Sequence, residues 1–135
     1  MLSATDMITE IKHLDKLIAL LVDNADIEEG THPITNSAWP LQTLMMRRGP
    51  GHIFAKHTHT VMDRTIATLQ EAIVVTKGKL RVTVCTRQGE DIGVHDVSAG
   101  QCMYLVDGGY KIEVLEDVRF YEFKNGPHED DKILL

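Results

Sequence analysis

The stretch Glu71 to Arg87, EAIVVTKGKLRVTVCTR, decides the fold. Two runs rich in β-branched residues meet at Lys77-Gly78, and glycine reaches positive φ without the steric cost a Cβ brings, so the pair reads as a tight hairpin. In the second run Leu80, Val82 and Val84 alternate with Arg81, Thr83 and Cys85. That period of two is what a strand with one buried and one wetter face requires.

Working outward, the same signature repeats. LQTLMMR, HIFAKHTH, IGVHDV, QCMYLV, YKIEVL and VRFYEFK are strand-sized, and RRGPG, QGED, SAG, DGG and ED separate them at intervals of roughly 8 to 12 residues, the spacing of an antiparallel sandwich or barrel. No repeat, low-complexity tract or Pro/Gly/Ser linker divides the 135 residues, so the chain reads as a single domain over 1–135. Before the strand series, Ser3-Ala-Thr-Asp ahead of Met7, Ile8 and Ile11 predicts a short N-terminal helix over about residues 4–12, capped near Thr5. LIALLV predicts a strand over about 17–22, and the polar stretch 24–40 a loop around the rim.

Composition narrows the partners. With 43% apolar and 25% charged residues the chain can bury a core without staples, and its net charge of -6 gives no general attraction to nucleic acid or to anionic membrane surfaces. LIALLV is far too short to span a bilayer and the N-terminus has no signal-length apolar core, which reads as a cytoplasmic protein. Cys85 and Cys102 stand far apart inside strand-like runs and form no CxxC pair, so both read as buried free thiols.

One pattern carries chemistry. His57 and His59, one residue apart on an expected strand, would share a face with Cβ atoms roughly 6 to 7 Å apart. Glu71 at the head of a neighbouring strand adds a carboxylate. Two imidazoles, one carboxylate and open positions suit a divalent transition metal, Fe, Mn, Ni or Zn, with a small molecule, water or dioxygen in the free positions. Among the other histidines, His52 reads as structural and His13, His32 and His95 as exposed. Arg47 and Arg48 read as a solvated rim with the geometry to clamp an anion, Gln42 as a pocket candidate and Met45 as core.

The spacing Gly51-x5-His57-x-His59, then Glu71-x6-Gly78, resembles the first motif of the cupin superfamily, and Gly100 to Gly108 resembles its second. The likeness covers about residues 41–124. Within that superfamily the chain resembles a group of small bacterial proteins with HxH, an arginine five residues on, a GTQE-like run, a GGH turn and an EVKxGPY tail. Here those are His57 and His59, Arg64, Leu69-Gln70-Glu71, Gly108-Gly109-Tyr110, and Glu122 to His128. The resemblance implies an all-β cupin jelly-roll barrel (double-stranded β-helix), a site in its mouth, a small-molecule ligand and a homodimer. It also implies a role for Arg64 at the ligand. The dimer has its own motive, because Ala72 and Val74 opposite Ile73 and Val75 make both faces of one strand apolar.

Two departures shape the functional reading. Eleven residues separate His59 from Glu71, so Thr60 to Gln70 forms a longer loop than the family's, either a lid or a longer rim. The histidine of the second motif is missing: strict spacing puts Lys111 there, and the GGH form puts Tyr110 there. Strand alternation turns Tyr110 inward with Ile112 and Val114. Three functions fit: a metal-dependent oxygenase or isomerase, a metal-free sugar-derivative isomerase or epimerase with His57 or His59 as base and Tyr110 as acid, and a non-catalytic small-molecule binder.

Overall fold

The computed structural model describes residues 4–126 and 132–135, with the backbone alone for Ala4 and Thr5. It is all-β and antiparallel. Ten strands occur among the described residues: β1 (Ile8–His13), β2 (Lys16–Asp23), β3 (Gly30–Pro33), β4 (Leu44–Arg47), β5 (Glu71–Lys77), β6 (Lys79–Cys85), β7 (Asp91–Ser98), β8 (Gln101–Leu105), β9 (Gly109–Val114) and β10 (Arg119–Lys124). They form a five-stranded sheet in the order β1-β2-β8-β5-β10, a three-stranded sheet β7-β6-β9 and a ribbon β3-β4.

The two strands read from EAIVVTKGKLRVTVCTR are present as β5 and β6, with Gly78 at φ 80° between them, but the expected hairpin is not. β5 pairs with β8 and β10, and β6 with β7 and β9, so the glycine turn carries the chain from the five-stranded sheet to the three-stranded one; a glycine between two β-branched runs serves such a crossing as well as it serves a hairpin. A Cβ at Gly78 would run into the carbonyl oxygen of Asp117, so the turn needs glycine for space as well as for its backbone angle. Leu80, Val82 and Val84 are completely buried, and they face Ile73 and Val75 of β5, Ala19 of β2 and Met103 and Leu105 of β8 across the space between the two larger sheets. This is the first core.

The five-stranded sheet is apolar on its other face too. Leu20, Val22, Ala72 and Tyr104 point away from the first core and pack with Met7, Ile27, Met45, Trp39 and Leu41 into a second core. The apolar outer face of β5 that suggested a partner subunit is therefore covered largely by the chain's own N-terminal third. No helix among the described residues is long and apolar enough to cross a membrane.

Three further expectations are corrected. The N-terminal helix is a single 3-10 turn over Ala4–Met7, and residues 8–13 are strand β1. Ile11 packs in the first core and Ile8 against the second, from opposite faces of a hairpin with β2 that closes through Leu14 and Asp15, both left-handed at φ 47° and 65°. A two-residue turn of that kind normally carries Asn-Gly or Asp-Gly, and without that signal the apolar spacing reads equally well as a helix. The expected rim loop contains β3, which pairs with β4. HIFAKHTH is not a strand: residues 48–70 contain none, and residues 51–69 are exposed throughout.

Candidate functional site

Tyr110 reaches the inner face of β9 because it sits opposite Val84 of β6, one of the fully buried positions. Glu71 opens β5, and Glu122 comes from β10 in register with Ile73, which puts both carboxylates on the same inner face. The three side chains meet where β9 and β10, each the last strand of its sheet among the described residues, come together. Tyr110 Oη donates a short hydrogen bond to Glu71 Oε2 and lies 3.4 Å from Glu122 Oε1. One phenol has one proton to give, so satisfying both contacts requires a second proton on one of the carboxyls.

The electrostatics follow from partial burial. Desolvation pushes the Glu71 carboxyl above its ordinary range; the Tyr110 hydrogen bond opposes the rise, while the charge of Glu122 and a hydrogen bond to it add to the rise. Tyr110 is raised as well, first by burial and then by the hydrogen bond to Glu71. The phenol therefore keeps its proton. An open groove of about 380 Å³, lined by Leu41, Glu122, Phe123, Lys124 and Gly126, runs along β10 beside the cluster. A larger depression, about 830 Å³, lies over the charged residues Arg81, Asp96, Lys111 and Glu113 on the outer face of the three-stranded sheet.

Behind Glu71 a network holds the head of β5 in place. Gln70, only 2% exposed, takes the Tyr104 hydroxyl on its Oε1 at 2.6 Å and gives its Nε2 to the Val106 carbonyl at 3.3 Å. Its backbone N–H donates to Asn125 Oδ1 at 2.6 Å, and Asn125 Nδ2 donates to the Thr68 carbonyl at 2.9 Å. Tyr104 also reaches the Leu41 carbonyl and stacks on Trp39 with ring centres 5.8 Å apart. Burial pushes its hydroxyl up to about 12. Gln70, Tyr104 and Asn125 were not read as functional from the sequence, and neither was Glu122. For Glu122 a signal existed, since it falls on the inward parity of a strand paired with Glu71's own.

Of the expected site residues the structure joins Glu71 and Tyr110. His57 and His59 lie in the exposed segment, their rings edge-on at 5.2 Å, with His57 Nδ1 2.6 Å from its own neighbour's carbonyl, Ala55 O. Arg64 is exposed in the same segment. Among the described residues no group of three or more His, Cys, Asp or Glu side chains is placed to hold a metal ion. As arranged, the two imidazoles and Glu71 do not fit one ion, because the strand that was to carry the histidines is not formed and Glu71 is engaged by Tyr110.

The remaining candidates have structural surroundings. Met45 is buried in the second core, and Gln42 bonds Thr35 Oγ1 and the carbonyls of Asn36 and Trp39. Arg47 donates to Ile27 O, and Arg48 bonds Thr31 and lies over Phe54, whose edge meets His52. His13, His32 and His95, expected exposed, are each half-buried. Cys85 is a buried free thiol; Cys102 is half-buried, and burial raises its thiol to about 11. His128 lies outside the described residues. Compared with known proteins, the chain matches no family model, and neither a curated protein nor a solved structure matches it.

Proposed function

We propose that this chain is a cupin-type protein that binds a small polyhydroxylated carbonyl compound at the flank between β9 and β10 and moves protons there with Tyr110 and Glu71. The observation that carries the reading is the hydrogen bond from the Tyr110 phenol to a carboxyl whose proton affinity is raised, with Glu122 alongside. Two facing antiparallel sheets around an apolar core, with glycine turns at Gly78 and Gly108, support the jelly-roll part of the proposal.

The chemistry needs only groups already in contact. A carboxylate of the Glu71/Glu122 pair removes a proton from the carbon next to the carbonyl, and the oxygen that gains charge takes a hydrogen bond from the Tyr110 phenol. Returning the proton to the opposite face of the same carbon completes an epimerisation; returning it to the neighbouring carbon, while the adjacent hydroxyl gives up its proton and the former carbonyl oxygen gains one by way of the Tyr110 phenol, completes an isomerisation, with no net change of charge in either case. Glu71 suits the base role, because a raised carboxyl binds an abstracted proton more firmly than a surface one does. With two acids at the site, a neutral polyol is a better fit than a phosphate or carboxylate ester.

The test is carbon-bound deuterium uptake from D2O into a panel of free aldoses and ketoses, read by proton NMR. Exchange that falls by about 100-fold or more in Tyr110→Phe and in Glu71→Gln supports the reading. Binding without exchange identifies a non-catalytic binder and overturns the acid/base part. A second reading is favoured by the contact between the His57 and His59 rings: a divalent ion, Fe, Mn, Ni or Zn, held by this pair with Glu71 after the 51–69 segment has moved. Calorimetric titration with Zn²⁺ distinguishes it, through a stoichiometric site lost in His57→Ala.

A further inference from the structure

We propose that the free edge of β9 is a two-fold interface for a second copy of this chain, with the two β9 strands antiparallel and Ile112 on the axis. Among the described residues β9 is bonded to β6 on one side and ends its sheet on the other. The ladder with β6 runs on to Leu115, whose N–H donates to Lys79 O at 3.0 Å. Bonding in an antiparallel pair alternates along the strand, so Lys111 and Glu113 direct their backbone groups at β6, while Tyr110, Ile112 and Val114 direct theirs at the open edge.

The sequence of that edge is complementary to itself. With Ile112 opposite Ile112 of the second copy, Tyr110 meets Val114 and Val114 meets Tyr110 on the inner face. On the outer face Lys111 of each copy meets Glu113 of the other. These charged pairs occupy the positions without backbone bonds, where side chains come closest. Moving the register by two residues in either direction puts Lys111 opposite Lys111 or Glu113 opposite Glu113, and moving it by one turns the inner face outward. One register therefore stands out.

The side chains are available for it. Lys111 and Glu113 are 67% and 51% exposed and now pair with each other along their own strand at 3.1 Å, a contact that exchanges for two between copies. Val114 is 62% exposed although it points to the core side of its sheet, an apolar position at an unprotected edge. In the pairing it would lie beside Tyr110 of the second copy, so each copy would wall the polar cluster of the other. The inference stands on the edge alone and does not depend on the acid/base reading.

The experiment is light scattering with size-exclusion chromatography on the full chain and three variants, with far-UV circular dichroism to confirm folding. The wild type should run at twice the mass of the chain. Glu113→Lys and Lys111→Glu, each placing like charges opposite one another, should run at the mass of one chain, and the double variant carrying both changes should return to twice that mass. A monomeric wild type overturns the proposal, as does a dimer that survives both single reversals.

Discussion

Glu71 is the residue whose ionisation couples most directly to its surroundings. Burial raises its carboxyl, so the folded chain holds that proton to higher pH than the unfolded chain does. Its contribution to stability is present in full below the ordinary carboxylate range and is lost as pH rises through the raised folded value. Glu71→Gln should thus flatten the decline of stability across that window and leave the protein at least as stable at neutral pH, measured by urea unfolding at a series of pH values. Tyr110 acts in the opposite direction, since its hydrogen bond favours the ionised form. Carbon-detected NMR titration of the glutamate carboxyls should show Glu71 moving further up in Tyr110→Phe. A Glu71 titration that stays put would mean the hydrogen bond carries no electrostatic weight.

Elements were legible to the extent that their turns carried ordinary turn chemistry. Lys77-Gly78 marked the turn between β5 and β6, and period-two alternation along β6 marked Leu80, Val82 and Val84 as inward. The pairing of the two strands was not legible, because a glycine turn does not say whether the strands it joins share a sheet or face each other across a core. The β1-β2 hairpin was hidden by Leu14 and Asp15, which occupy left-handed backbone that costs a non-glycine residue roughly 1 kcal/mol or more. Leu14 is 88% exposed and contributes almost no packing in return. Replacing Leu14-Asp15 with Asn-Gly should therefore raise stability by about 1 kcal/mol, read as a higher urea midpoint at unchanged slope. The candidate site was half legible for a similar reason. Glu71 and Tyr110 are placed by strand parity, which sequence shows, whereas His57 and His59 were assigned to a face that exists only if residues 52–59 pair with a neighbour. Gln70 and Tyr104 were invisible because their partners come from residues 41, 106 and 125, brought near only by the fold.

At the scale of the whole molecule, one sheet serves two cores. Met103 and Leu105 of β8 face the first, while Tyr104 between them faces the second, and β2 and β5 divide their side chains in the same way. Neither core can lose its packing without withdrawing support from the strands that floor the other, so the chain should unfold as one unit. Trp39, the single tryptophan, packs in the second core, and Leu80, with no exposed surface, lies in the first. Leu80→Ala should cost about 2 to 5 kcal/mol through lost transfer energy and the cavity left behind. If the shared sheet couples the cores, Trp39 fluorescence and far-UV circular dichroism of this variant should shift together to one lower urea midpoint. A fluorescence midpoint that stays at the wild-type value while the dichroism moves would show that the second core holds without the first, and the five-stranded sheet would then be two structural units sharing a boundary.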